Sequence, residues 1–231
     1  MSPKLSLDAQ IGSWFAKNRK FDEALKDEHG PTICLSREFG CRGSTLAGEL
    51  CERLTEQTKK EWHVFDKDLI HQISEEKGIS EKFLANLGDY SRIVDRYLTF
   101  LKHRVSHDEA FKYLTQYIMN IAVPGYAIIV GRGASILTKD LVNSYRFRLE
   151  APFDFRVQNI QETQSLSKDK AEDYVKENQV IREKFVESYL DTSLSNSASY
   201  HAIFNEQACP RGTIADMIID VVKAGEERRL K

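Results

Sequence analysis

The chain has 231 residues, 41% of them hydrophobic and 29% charged, a size that one α/β domain with an accessory helical layer fills without a second core. Its formal charge of −2 provides no general polyanion-binding surface, which excludes nucleic acid as the expected partner. The longest apolar runs, such as Ile128-Ile129-Val130 and Met217-Ile218-Ile219, fall far short of the roughly 20 residues of a membrane span.

In chain order, Met1 to Gln10 lacks the apolar stretch of a signal peptide, so a soluble, cytoplasmic protein is expected. Within residues 1–30, Ile11, Trp14, Phe15 and Leu25 recur near helical spacing among charges. They predict an amphipathic helix that docks on the main domain or on a second subunit, which makes a homo-oligomer one expectation. Residues 31–231 form the expected main domain. Pro31 opens the β-branched run Thr32-Ile33-Cys34-Leu35-Ser36. Gly40 and Gly43 follow, and then Leu46, Ala47, Leu50 and Leu54 at helical spacing. The segment reads as strand, glycine loop and helix.

Trp62 to Phe65 is a second candidate strand, after which Asp66 is placed to cap a helix carrying Leu69, Ile70 and Ile73. Residues 80–123 are helical in pattern, with Phe83, Leu84 and Leu87, then Ile93, Tyr97 and Leu101, then Phe111, Leu114, Tyr117, Ile118 and Ile121. Such an insert can cover an acceptor site. Ala127 to Val130, Tyr145 to Leu149 and Tyr200 to Phe204 complete the candidate strands, the first of them ending in Gly131-Arg132-Gly133. Between the last two lies a charge-rich helical stretch from Lys168 to Leu190, bounded by the Ser- and Asn-rich residues up to Ser199. Strands alternating with helices predict right-handed crossovers and a mainly parallel sheet, with ligands at the carboxyl ends of its strands. Asp66 and Arg132 fall at such ends.

The chemistry concentrates in Ser36-Arg37-Glu38-Phe39-Gly40-Cys41-Arg42-Gly43-Ser44-Thr45. Backbone N–H groups of a glycine loop at a helix amino end suit phosphate oxygens, and the hydroxyl of Ser44 or Thr45 is positioned to reach a magnesium ion on those phosphates. The pattern G-x-x-x-x-G-K-[ST] is not met, because Gly43 occupies the lysine position and Arg42 that of the preceding glycine. Read alone, the loop fits a ligand-free strand-to-helix turn as well as a phosphate cradle. Asp66 likewise fits a helix N-cap as well as a ligand contact. The histidines lack mutual metal-ligand spacing. The four cysteines, Cys34, Cys41, Cys51 and Cys209, lack paired spacing, so reduced thiols are expected.

Four segments in order, Ser36-Arg37-Glu38-Phe39-Gly40, Val64-Phe65-Asp66-Lys67, Ile129-Val130-Gly131-Arg132-Gly133-Ala134 and Tyr200-His201 through Asn205, resemble the cytidylate kinase-like family from about Pro31 to Val222. The resemblance implies a P-loop NTPase fold of adenylate-kinase type, with a mainly parallel five-stranded sheet flanked by helices. It implies a helical acceptor-binding segment near residues 80–123 and an arginine-bearing lid near residues 165–190. It also implies ATP with Mg2+ as donor and a nucleoside monophosphate as acceptor. By position, Gly40, Cys41, Arg42, Gly43, Ser44 and Thr45 would cradle the donor phosphates, with Arg37 or Arg42 supplying the charge of the missing lysine and Thr45 reaching the metal. Asp66 would lie near the acceptor and Arg132 would grip its phosphate. Arg156 would face ATP, and Arg182 would be the lid arginine.

Three departures accompany the likeness: the loop lysine is absent, Val130 and Gly133 stand where true cytidylate kinases carry acids, and Gln179 replaces an acid three residues before the lid arginine. The leading expectation is phosphoryl transfer to a nucleoside monophosphate, with CMP or dCMP favoured by the resemblance alone. A nucleotide-binding regulatory protein with little activity is the alternative from another class. A kinase of another small metabolite is a third.

Overall fold

The computed structural model describes residues 29–66, 107–229 and 231. The expected amino-terminal helix, the helix after Asp66 and the helical pattern from residue 80 to residue 106 lie outside the described residues. Five strands form one sheet: β1 (Thr32–Arg37), β2 (His63–Phe65), β3 (Ala127–Val130), β4 (Ser144–Glu150) and β5 (Ala202–Asn205). Every pairing is parallel, and the order across the sheet is β2-β3-β1-β4-β5.

The buried central strands read as apolar runs and still sort their side chains by alternation. Ile33 and Leu35 of β1, with Ile128 and Val130 of β3, point to one face. There they meet Leu46, Leu50 and Leu54 of α1 (Gly43–Thr58). Ile214, Ile218 and Val222 of the last helix (Arg211–Arg229) pack on the same face. Cys34 and Ile129 point the other way, onto Phe111, Leu114 and Ile118 of α2 (His107–Ala122) and onto Ala134 and Leu137 of α3 (Ala134–Leu137). The result is a helix–sheet–helix sandwich whose middle layer is buried on both faces.

Two further helices complete the order. The first, α4 (Phe153–Gln164), follows β4, and α5 (Lys168–Leu190) follows α4. Helix α5 has two seats. Its first half packs Ala171 and Val175 against Val157 and Ile160 of α4 and against Phe39. Its second half packs Phe185, Tyr189 and Leu190 on the α2–α3 side. The charge-rich stretch is therefore one continuous helix anchored at both ends across the carboxyl edge of the sheet. The last helix is α6 (Arg211–Arg229).

Register brings the strand ends level. Cys34 and Leu35 pair with Ile129 and Val130, Ser36 and Arg37 with Arg148 and Leu149, and Phe65 with Ile129. From β1 the chain leaves over one face through α1, and from β3 over the other through α3, so the topological switch lies between β1 and β3. A crevice at that point is the default ligand site of an open parallel sheet.

Candidate functional site

The loop after β1 turns at Gly40, whose φ of +96 is a left-handed conformation. A Cβ there would also stand 2.6 Å from the Cβ of Arg156, so glycine is required twice over. Arg156 braces the loop from α4: its Nε donates to the Ala151 carbonyl at 2.9 Å, its Nη1 to the Phe39 carbonyl at 3.2 Å, and Glu38 sits 3.4 Å from Nε. Asn159, also on α4, donates to the Gly40 carbonyl at 2.9 Å. The loop carbonyls are thus drawn toward α4.

Beyond the ends of β1 and β3 three guanidiniums gather. Arg37, the last residue of β1, passes beneath Gly131, where any Cβ would lie 1.7 Å from its Nη1. Its Nη2 lies 3.5 Å from Asp66 Oδ1. Arg132 stands in the left-handed region at φ +57 between Gly131 and Gly133. Arg182 comes down from α5, its Nη1 donating to the Arg37 carbonyl at 3.2 Å and its guanidinium lying 4.8 Å above the Phe39 ring. Burial and the neighbouring charges of Arg37 and Arg132 hold Arg182 well below the usual arginine range, with Asp66 pulling the other way. Burial likewise lowers Arg37 and Arg132, and in both Asp66 opposes the shift. Among the described residues, one carboxylate faces three cations. This leaves about two positive charges uncompensated, the condition that a phosphate or polyphosphate relieves.

Asp66 has a second contact, accepting a hydrogen bond from the Ser44 hydroxyl at the start of α1. A hydroxyl and a carboxylate brought together beside a phosphate loop form the hard-oxygen pair that magnesium prefers, so the residues present fit that ion. Of the two hydroxyls the sequence offers to the metal, Ser44 touches the acid and Thr45 lines the same cavity. Among the described residues no cluster of three or more His, Cys, Asp or Glu is placed to hold a metal by itself.

The cavity measures about 500 Å³. Of the residues expected from sequence, Arg37, Gly40, Cys41, Arg42, Ser44, Thr45, Asp66, Arg132 and Arg182 line it, while Gly43 and Arg156 do not. Arg42 lines it without directing its charge at the loop, because Nη2 is 2.5 Å from Glu162 of α4. The Arg37 stem passes beneath the start of α1, its Cγ and Cδ 3.4 Å from the Cβ position of Gly43, and carries its guanidinium on to Gly131 and Asp66.

Asn159, Tyr174 and Glu206 were not singled out from sequence, and Phe39 and Tyr200 only as members of the family-like segments. Asn159 and Tyr200 line the cavity, and the Tyr200 hydroxyl donates to Ser36 Oγ at 3.3 Å. Phe39 meets Tyr174 of α5 edge-on at 5.3 Å. Glu206, just past β5, accepts from the Arg42 backbone N–H. Of those not singled out, Glu206, an acid immediately after the last strand, carried a sequence signal. Gln179, the departure from the lid pattern, accepts from the Phe39 backbone N–H at 2.8 Å and so ties α5 to the loop.

A parallel sheet in this order, with a glycine loop opening α1 and arginines gathered between β1 and β3, defines a protein of the P-loop kinase class. The chain belongs to the cytidylate kinase-like family, which matches residues 32–208. Among solved structures it is similar to an uncharacterized protein from Eubacterium ventriosum, with 17% identity, a TM-score of 0.62, and coverage of 84% of this chain and 98% of that one. A shikimate kinase from Bacteroides thetaiotaomicron is more distant, at 14% identity and a TM-score of 0.45 over 84% of this chain and 97% of that one. No curated protein matches. Among the described residues no helix is long and apolar enough to cross a membrane.

Proposed function

We propose that the chain is an ATP-dependent phosphotransferase acting on a nucleoside monophosphate, with CMP or dCMP the favoured acceptor on family grounds. The observation that carries this reading is the convergence of Arg37, Arg132 and Arg182 on a single carboxylate, Asp66, beside the glycine loop. Phosphoryl transfer is a matter of positioning and charge neutralisation rather than covalent chemistry by the protein. Three clustered guanidiniums suit it without a nucleophilic side chain.

In this reading the N–H groups opening α1 hold the donor phosphates, with Arg37 beneath them in the role of the absent lysine. Magnesium, held by Ser44 and Asp66, would neutralise charge on those phosphates and align them. Arg132, at the tip of the turn after β3, grips the acceptor phosphate. Arg182 spans donor and acceptor from the lid, where charge spreads most in the transition state. Arg156 holds the loop carbonyls so that its amides face the cavity.

A second reading, nucleotide binding without transfer, is favoured by the absent loop lysine and by the ion pair that turns Arg42 away from the loop. Calorimetric titration of each nucleoside monophosphate, run beside a screen for ADP release from MgATP, separates the two. Turnover with one monophosphate supports the kinase, while binding without ADP release supports the regulatory reading.

A further inference from the structure

The anion seat of the loop already holds an anion from the chain itself. The backbone N–H of Arg42, the residue before α1, donates to both carboxylate oxygens of Glu206, at 2.9 and 3.2 Å. Glu206 is held in turn by its own N–H, which donates to the Glu150 carbonyl at 2.9 Å at the end of β4. Its side chain therefore reaches the loop from a fixed point on the sheet. The one cation on this stretch of loop is engaged elsewhere, since the Arg42 guanidinium is paired with Glu162. What Glu206 neutralises is the N–H dipole at the helix entrance, the same dipole a phosphate oxygen would use.

The other acids nearby do not take this place. Glu38 accepts from the Ala151 N–H at 3.0 Å and faces Arg156, and Glu162 meets Arg42 on the outer side. The Cys41 thiol, next in the loop, is pushed up beyond its ordinary range by burial first and then by the charges of Glu206 and Glu38. A negative charge at Glu206 is thus felt by two successive loop residues.

We propose that Glu206 is an internal competitor for the phosphate loop, occupying the Arg42 N–H in the empty protein and leaving it when a polyphosphate enters. The inference rests on the reading of the loop as a phosphate site, and it adds an element that lowers affinity by design of the fold. An internal ligand that must be displaced reduces the apparent affinity of every external one by the fraction of molecules in which the seat is free. After displacement its carboxylate also repels the incoming charge. Both effects have one sign, so removing the carboxylate tightens binding. A purely structural role for Glu206 would have the opposite outcome, since loosening the loop weakens its ligand.

The test uses the full chain and inorganic tripolyphosphate with magnesium, measured by titration calorimetry on the wild type, Glu206→Gln and Glu206→Ala, with Gly43→Asp as the loop-blocked control. The proposal expects tripolyphosphate to bind the alanine variant about tenfold more tightly or better, a charge-assisted hydrogen bond having been removed from competition, and the glutamine variant by a smaller factor. In the apo protein the amide resonance of Arg42 should shift on either substitution, and tripolyphosphate should also move the wild-type resonance as it replaces the carboxylate. Unchanged or weaker binding by both variants, with wild-type binding still abolished in Gly43→Asp, overturns the competitor while leaving the loop a phosphate site. Absence of binding by every protein, or binding indifferent to Gly43→Asp, overturns the phosphate-loop reading and the competitor with it. The glutamine variant keeps the shape of the side chain, so a folding defect confined to alanine does not disable the test.

Discussion

Replacing Arg182 by methionine removes a charge that the empty protein holds against opposition. The lost interactions are one charge-assisted hydrogen bond to the Arg37 carbonyl and the stacking of the guanidinium over Phe39, together about 2–5 kcal/mol from typical values. Against that stand the burial of the guanidinium and its repulsion by Arg37 and Arg132, the causes that push it well below the arginine range. Full burial of an ion costs roughly several kcal/mol, and a methionine of similar length at this partly buried position is spared the corresponding share of it. The two ledgers nearly cancel. The melting temperature of the ligand-free protein should therefore move by only a few degrees, since ~1 kcal/mol corresponds to about 2–4 °C in a domain of this size. Catalysis should respond far more, because an arginine that neutralises transition-state charge contributes about 10³–10⁵ in rate. The assay pairs a thermal melt of the empty protein with kcat and KM for MgATP and acceptor, and the loss should fall on kcat. A kcat within tenfold of wild type, or a melting point lowered by more than about 10 °C, would refute the reasoning.

Gly131→Ala places a Cβ 1.7 Å from Arg37 Nη1 at a backbone φ of +78, so a loss of nucleotide affinity and of about 2 kcal/mol or more in stability is expected from calorimetry and denaturant melts. Asp66→Asn removes the carboxylate facing the three arginines, and magnesium should no longer enhance nucleotide binding; an unchanged magnesium dependence in a fluorescence titration would clear Asp66 of that role. Arg132→Ala should weaken the acceptor phosphate by about 1.5–3 kcal/mol and MgATP much less, and equal losses for both ligands would count against the assignment. Gln179→Ala frees the Phe39 N–H from α5, so hydrogen exchange across residues 168–190 should quicken with little change in the sheet, and uniform protection would show that the helix needs no such tie.

Much of this was legible in the sequence because the sheet is parallel and buried. Ala127 to Val130 was delimited by its apolar run, and Lys168–Leu190 by its charge-rich helical pattern. Asp66 and Arg132 were placed at the mouth of the site by standing just past strand ends. Edges were less exact. Tyr200 belongs to the loop before β5, which begins at Ala202, because its hydroxyl is drawn to Ser36 and to the Leu194 carbonyl. What periodicity cannot reveal is pairing between distant side chains. Ser44 and not Thr45 meets Asp66, Arg156 serves the loop backbone and does not line the cavity, and Glu206 reaches a loop 164 residues away. The three departures from the family pattern also take on physical sense. Under the proposed function Arg37 takes the part of the absent lysine and Asp66, just past β2, that of the absent acids, while the Gln179 amide oxygen accepts from the Phe39 backbone N–H.

The central claim is transfer of a phosphoryl group, and it is tested most directly by phosphorus NMR of the full chain incubated with MgATP and CMP. The account predicts that the ATP γ-phosphate signal declines while ADP and CDP signals grow in equal amounts, and that Arg182→Met abolishes this growth. ATP and CMP that both bind but remain unconverted, or ADP that forms with inorganic phosphate whether or not CMP is present, would contradict it.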